Sequence, residues 1–189
     1  MTRIIAGTYK GRELAVPTRG TRPTSSRVRE ALFSRLEAWD ELEGARVLDL
    51  YAGSGALGLE ALSRGAQSAV LVDKAREASR VMSKNIRCLD APAHAVAQDA
   101  YQFACSTKQP AYTLVFIDPP YDYPAQQLAR VLDALRSGLE PQALVVVEGS
   151  TRSTAPSWPA GYTEESTRKW GETRAWFLTY TGNEGSVEI

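Results

Sequence analysis

The chain has 189 residues, of which 43% are hydrophobic and 23% charged, and its formal net charge is zero. This composition is ordinary for one globular domain with a small appendage. No apolar run approaches the roughly eighteen residues of a membrane span, and the first residues lack a signal-peptide core. We therefore expect a cytoplasmic protein, monomeric and not bound to a membrane.

The amino-terminal segment is strongly basic. Residues 1–35 hold eight basic and two acidic side chains, so the rest of the chain carries six net negative charges. Such an arm suits local phosphate binding, because attraction to a polyanion depends on where charges lie. A solvated charged surface would give the same pattern.

The same segment predicts an extension that precedes the main domain. Two short strands are expected within residues 3–16, around Gly7 and Gly11, followed by a loop over 17–23. Thr24–Ser26 offer N-caps for a helix whose apolar face is formed by Val28, Ala31, Leu32 and Leu36. We divide the chain into an extension, residues 1–40, and a main domain, residues 41–189.

Strands and helices alternate in the main domain. Strands are predicted at 45–50, 68–73, 94–97, 112–117 and 143–148, and helices at 56–64, 75–89, 99–106 and 124–137. This alternation predicts an α/β fold with an open, Rossmann-like parallel sheet of order 3-2-1-4-5. Residues 162–167 and 174–181 predict an additional antiparallel pair joined by a turn at Trp170-Gly171.

A glycine-rich loop, Gly53-Ser54-Gly55-Ala56-Leu57-Gly58, follows the first strand of this sheet. Together with Asp73 it formally satisfies a dinucleotide fingerprint, so an NAD-dependent oxidoreductase is one interpretation. Asp49 precedes the loop and would repel a pyrophosphate, whereas S-adenosylmethionine brings an ammonium and a sulfonium and no phosphate. Asp49 therefore favours the methyl donor.

Several residues around the loop are candidate contacts to that donor. Gly53 and Gly55 let the backbone approach the ligand, and Asp73 can accept both ribose hydroxyls. Asp99 can accept from the adenine amino group or serve only as a helix N-cap. The predicted cofactor-binding set is Asp49, Tyr51, Ala52, Gly53, Ser54, Gly55, Gly58, Asp73, Lys74, Asp99 and Ala100.

A second motif, Asp118-Pro119-Pro120-Tyr121, ends the fourth strand of the sheet. Strands 1 and 4 are neighbours at the switch point of a 3-2-1-4-5 sheet, so the motif and the glycine loop should share one crevice. The Asp118 carboxylate and the Pro119 carbonyl could accept the two N–H bonds of an amine on a base that stacks on Tyr121. A strand-ending turn is the structural alternative. We predict these four residues as the catalytic set, with no metal, because Cys88, Cys105 and His94 are too few for a zinc site.

The chain resembles the RsmD-type 16S ribosomal RNA guanine-N2 methyltransferases, which have the class I S-adenosylmethionine-dependent fold. The segments that carry the resemblance are Arg3–Gly7, Lys10–Arg12, Arg22–Thr24, Arg27–Phe33, Asp49–Gly65 and Asp118–Tyr121. It departs from the family's pattern at Ser26, Tyr51 and Asp73, where aspartate, phenylalanine and glutamate are usual.

The resemblance implies transfer of a methyl group to N2 of guanine 966 in partly assembled small ribosomal subunits. In that interpretation the phosphate contacts are Arg3, Lys10, Arg12, Arg22, Arg27 and Arg29. Two alternatives remain. A DNA adenine-N6 methyltransferase would share both motifs, although the chain has no obvious target-recognition domain. An RNA-binding assembly factor without catalytic activity could use the same fold.

Overall fold

Strands and short connecting helices make up most of the computed structural model, which describes residues 2–18, 25–109, 111–120, 122–153 and 156–182. The strands are β1 (Thr2–Arg3), β2 (Glu13–Leu14), β3 (Arg46–Leu50), β4 (Ser68–Asp73), β5 (Ala93–Ala97), β6 (Tyr112–Ile117), β7 (Leu139–Ser150), β8 (Tyr162–Trp170) and β9 (Thr173–Tyr180). The helices are α1 (Ser26–Ala38), α2 (Ala56–Ser63), α3 (Arg76–Leu89), α4 (Ala100–Ser106) and α5 (Ala125–Leu135), which continues into a 3₁₀ turn, Arg136–Gly138. No helix in the described ranges combines the length and apolar character needed to cross a membrane.

A seven-stranded sheet of order β5-β4-β3-β6-β7-β9-β8 organises the fold. Strands β3 to β7 are parallel to one another, and β9 is antiparallel to both β7 and β8. The parallel part has the order 3-2-1-4-5, which confirms the sequence-based prediction. The order reverses between β3 and β6, and such a switch point opens a crevice at the carboxyl ends of the strands.

The start of β7 and the turn of the hairpin differ from the sequence-based prediction. β7 begins at Leu139 rather than 143, because the chain pairs with β6 before a register shift and passes Gln142 with φ of 68°. The proline at 141 makes this early start of β7 hard to predict from the sequence, because proline is disfavoured inside a strand. The hairpin turn lies at Gly171–Glu172, and Trp170 is still part of β8.

Each face of the sheet buries its own hydrophobic cluster. On one face, side chains of α1, α2 and α3 pack on the sheet, and Phe33 lies 5.7 Å from Phe116 between ring centroids. On the other face, α4 and α5 cover residues such as Ile117 and Val147. Alternate strand residues point to opposite faces, so strands covered on both sides are apolar throughout.

The amino-terminal extension is bound to α2 through its backbone. Glu60 is fully buried, and its carboxylate accepts hydrogen bonds from the N–H groups of Ile5 at 2.8 Å and Ala6 at 3.0 Å. Gly7 has φ of 82°, and a Cβ there would lie 1.7 Å from the Ser63 carbonyl oxygen. This close approach requires glycine. The extension therefore packs on the main domain directly, and the division at residue 40 stays a prediction.

Candidate active site

A cavity of about 950 Å³ opens at the carboxyl ends of the parallel strands. It lies where β3 and β6 are neighbours, and both predicted motifs border it although they are far apart in the chain. The predicted residues that line it are Asp49, Tyr51, Ala52, Gly53, Ser54, Asp73, Lys74, Asp118, Pro119 and Pro120. Tyr121 lies outside the described residues.

Asp49 is a buried carboxylate at the inner wall of this cavity. Its side chain is 1% exposed, and Oδ2 accepts a hydrogen bond of 2.9 Å from the Gly58 N–H. Oδ1 is buried with no hydrogen-bond partner among the described residues. Burial raises the pKa of Asp49 to about 8; the Gly58 N–H opposes this rise, and the charges of Asp118 and Asp73 add to it. A ligand that brings a positive charge or a hydrogen-bond donor would satisfy the Oδ1 atom of Asp49.

The glycine-rich segment holds the Asp49 carboxylate in place through the Gly58 N–H. Gly58 lies in α2, and a Cβ there would come within 2.3 Å of Leu71 Cδ2, so glycine allows α2 to approach β4. Tyr51 enters the loop with φ of 63°, a strained conformation for a non-glycine residue and one that often marks functional sites. Gly55 and Gly58 do not line the cavity, and their roles are to begin α2 and to place its N–H groups.

Asp73 is held in a defined orientation at the end of β4. Its Oδ2 accepts from the Gly53 N–H at 3.0 Å and its Oδ1 from the Ala75 N–H at 2.8 Å. Each carboxylate oxygen can accept a further bond. Asp73 also lines the cavity, so it can accept hydroxyl groups of a ligand.

Asp99 and Ala100 are not among the residues that line the cavity. Asp99 caps α4: its Oδ1 accepts from the N–H groups of Tyr101 at 3.0 Å and Gln102 at 3.2 Å. The N-cap interpretation is therefore confirmed. A contact to an adenine amino group stays a prediction.

The Asp118-Pro119-Pro120 segment leaves the sheet directly after β6. The Asp118 N–H donates to the Leu50 carbonyl at 3.4 Å, which continues the ladder between β3 and β6 by one residue. Proline has no N–H, so the next two backbone positions offer only carbonyl oxygens. Carboxylate and carbonyl groups thus border the cavity as acceptors. Within the described ranges, no cluster of three or more His, Cys, Asp or Glu side chains could hold a metal ion.

Residues 2–179 match the family described as "Conserved hypothetical protein 95". "Ribosomal RNA small subunit methyltransferase D" of Escherichia coli K12 is 40% identical over 164 residues, which are 85% of this chain and 80% of that protein. The chain belongs to the RsmD family. The Haemophilus influenzae protein of the same name is 36% identical over 151 residues, or 77% of either chain.

Solved structures agree with this family membership. The Escherichia coli protein yhhF gives a TM-score of 0.83 at 36% identity, over 96% of this chain and 98% of that one. The hypothetical protein TTHA0928 of Thermus thermophilus gives 0.80 at 32% identity, over 94% and 98%. The shared fold therefore includes the amino-terminal extension as well as the sheet.

Three of the residues that border this RsmD-family cavity carry polar or aromatic side chains that sequence reasoning did not place there. Glu148, near the end of β7, is 4% exposed, and Lys169 and Trp170 reach the cavity from the β8–β9 hairpin. Glu148 had a signal in the sequence, because it follows an apolar strand just as Asp118 does. Lys169 and Trp170 belong to the segment Lys169–Thr173, which resembles the closing turn of the family, but their position at the cavity depends on how the hairpin folds back.

A fourth missed residue, Asn85, positions the glycine loop. It is 3% exposed on α3; its Nδ2 donates to the Ser54 carbonyl at 3.0 Å, and it forms two further bonds to the backbone of Ala15. Asn85 thus joins the extension to the loop. Its place on the buried side of α3 with Met82 and Leu89 could have revealed it.

The predicted RNA-contacting residues have different environments. Arg27 lines the cavity and Lys10 is exposed. Arg3 forms an exposed ion pair of 2.7 Å with Glu13, and Arg12 donates to the Cys88 carbonyl at 2.5 Å. Arg22 lies outside the described residues. Arg27 and Arg29 are therefore the members of the set that line the cavity.

The structure contradicts the prediction of Arg29 as a phosphate contact. Its side chain is 2% exposed, Nη2 donates to the Arg3 carbonyl, and Nε lies 3.8 Å from Glu60 Oε2. A guanidinium held in this way has almost no surface to offer a phosphate. Arg29 instead joins the first strand of the extension to α2. The sequence does not distinguish this buried role, because Arg29 stands among other basic residues.

Proposed function

We propose that this protein transfers a methyl group from S-adenosylmethionine to N2 of guanine 966 in 16S ribosomal RNA, within a small subunit or its assembly intermediate in the cytoplasm. One observation carries the proposal: a single cavity holds the unpartnered Asp49 oxygen and the acceptor groups of Asp118 and Pro119. The names of the Escherichia coli and Haemophilus influenzae relatives support ribosomal RNA as the substrate.

The donor side of the cavity suits a cationic nucleoside better than a dinucleotide. Asp49 and Asp73 present carboxylates beside the glycine loop, and a pyrophosphate there would be repelled. The ammonium of S-adenosylmethionine matches the Asp49 oxygen, and the ribose diol matches Asp73. When bound, the donor supplies an electrophilic methyl group on a sulfonium that is its own leaving group.

The acceptor side suits an amine on a flat base. The Asp118 carboxylate and the Pro119 carbonyl accept its two N–H bonds, which turns the nitrogen lone pair towards the donor side. Pro120 contributes no competing donor. Asp118 can also take up the proton that the amine loses after the new C–N bond forms. The base must leave its stack to enter, and Tyr121 provides the ring on which it stacks.

Basic and aromatic side chains at the cavity are suited to RNA. Arg27 comes from α1, Lys74 follows β4, and Lys169 with Trp170 comes from β8, so cations from three parts of the chain border the cavity. Lys10, Arg3 and Arg12 extend this set along the extension, and we keep Arg22, which lies outside the described residues, as a further candidate phosphate contact. Positive charge of this kind binds the phosphate backbone and makes affinity depend on salt.

The direct test is methyl transfer from radiolabelled S-adenosylmethionine to small subunits that lack their methyl groups, with naked 16S RNA and duplex DNA in parallel. Label recovered as N2-methylguanosine at position 966 is the expected result. Label in DNA adenine would move the assignment to an adenine-N6 methyltransferase. Tight donor binding without transfer to any substrate would indicate a binding role without catalysis.

A variant then tests the acceptor side. Asp118→Ala should keep donor affinity and lose turnover, because its carboxylate orients the amine and not the donor. Asp133→Ala is the matched control, since that aspartate is 63% exposed on α5 and pairs with Arg136. Normal turnover in Asp118→Ala would contradict the proposed arrangement.

A further inference from the structure

Glu148 is a second buried carboxylate beside the amine-binding segment. The parallel register pairs Ile117 of β6 with Val147 of β7, so the next residues, Asp118 and Glu148, stand at the same level of two neighbouring strands. Both line the cavity, and Glu148 is only 4% exposed. The two carboxylates therefore border one ligand site.

The order of the strands places Asp118 between Asp49 and Glu148 across the sheet, with Asp49 level with Phe116, two residues before Asp118. β6 lies between β3, which carries Asp49, and β7, which carries Glu148. Val47 and Val146 belong to the hydrophobic cluster under α1 to α3, and alternation places Asp49 and Glu148 on the same face of the sheet. We therefore expect a base whose amine lies at Asp118 and faces the donor side to turn one of the two ring positions beside the amine towards Glu148.

A carboxylate at this position gives up most of its contact with water. The strand before it, Val145–Val147, is fully buried and apolar, and an apolar side chain would continue it without a desolvation penalty. Buried acids that border a cleft are concentrated at functional sites. The chemistry of base edges indicates what this one recognises.

Among the common bases with an exocyclic amine, guanine alone has a ring N–H next to that amine. Adenine and cytosine have a ring lone pair there instead, and an ionised carboxylate can only accept hydrogen bonds. We infer that Glu148 accepts the N1–H of the target guanine and makes the site reject bases with a lone pair at that position. This inference rests on the proposed function and specifies its base selectivity.

The test compares two bases at the methylated position. Small-subunit RNA assembled by ligation carries either guanine or 2-aminopurine, which keeps the 2-amino group but has a lone pair at N1. The wild-type protein is expected to show kcat/KM at least about 100-fold lower on 2-aminopurine, because the carboxylate then faces a second acceptor. Methylation of both bases within threefold would overturn the inference, whatever any variant does.

Variants separate recognition from a structural role. Glu148→Gln should reduce the preference for guanine over 2-aminopurine by at least about tenfold, since its amide can donate to N1. Glu148→Asp keeps the charge and should keep the preference. Because 2-aminopurine also lacks the 6-oxygen, the change in preference between the wild type and Glu148→Gln isolates the contribution of Glu148.

The matched control is Glu140→Gln, at the opposite end of β7, where Glu140 forms an ion pair of 2.7 Å with Arg46. It should leave the preference unchanged, and donor affinity should remain at the wild-type value in every variant. Equal loss on both bases in Glu148→Gln, with the preference unchanged, would refute the inference and indicate a structural role. Failure of the wild type to methylate the guanine substrate would instead refute the proposed function.

Discussion

Replacement of Asp49 by asparagine should stabilise the protein at neutral and alkaline pH and weaken donor binding. Asparagine has nearly the same shape and keeps an oxygen that can accept from the Gly58 N–H. It does not titrate, so it avoids the cost of keeping a carboxyl that is 1% exposed protonated above its ordinary pKa. Asparagine also cannot ionise when the donor's ammonium binds, as Asp49 can, so stability and donor affinity should change in opposite directions.

The magnitude follows from the pKa of Asp49, which is 3.8 ordinarily and about 8 in the folded protein. Between these values the folded state holds a proton that the unfolded state has lost, so stability falls as pH rises, by about 1.36 kcal/mol per pH unit. Over the whole interval this amounts to about 5 to 6 kcal/mol, and at pH 7 to about 4 kcal/mol. The advantage of Asp49→Asn should therefore grow from about pH 4 and level off above about pH 8.

Urea unfolding of the wild type and Asp49→Asn at several pH values between 5 and 9 measures this difference. Calorimetric titration with S-adenosylmethionine should show binding weakened about 10- to 100-fold in the variant, as expected for loss of a hydrogen bond to a charged group. Asp133→Asn is the control, because Asp133 is 63% exposed. A stability difference that does not change with pH would refute the reasoning.

Three further predictions concern the extension and the RNA surface. Glu60→Ala should lower the free energy of unfolding by about 3 to 5 kcal/mol, because the buried groups that Glu60 binds would lose their carboxylate partner. Glu37→Ala should lower it by less than about 1 kcal/mol. Urea unfolding measures both values. Gly7→Ala should cost about 3 kcal/mol or more, from a clash added to a positive φ, and Gly11→Ala about 1 kcal/mol. Arg27→Ala should reduce the slope of log affinity for RNA against log salt by about one unit and leave donor binding unchanged.

The paired variants make these predictions testable. Glu60 and Glu37 both bind Arg64, but Glu60 is fully buried and Glu37 is 49% exposed, so equal losses would contradict the assigned role of burial. Gly11 has a positive φ but open space around its Cβ position, so Gly11→Ala measures the cost of the positive φ without a clash. Arg46→Ala, at the start of β3 and away from the cavity, should leave the salt slope unchanged. An unchanged slope in Arg27→Ala would place that residue outside the RNA interface.

Much of the site could be predicted because its residues follow strands. Apolar runs locate β3 and β6, and their alternation with helices predicts a parallel sheet in which these strands are neighbours. Asp49 and Asp118 come at or just after strand ends, so their meeting at one edge follows from the topology. Glu148 carries the same signal, but its face and its burial depend on how the sheet and helices pack.

The sequence by itself determined the elements and the two motifs at the strand ends, because periodicity is a local property. The fold class that this alternation predicts then supplied the strand order and the edge at which the motifs meet. Only the tertiary structure decided which polar groups are buried and with what partners. Arg29 belongs to a basic segment, yet it is buried because Glu60, 31 positions later, lies beneath the extension. The environment of a charged group depends on distant segments that fold around it, and this environment sets whether the group binds a ligand or holds the fold together.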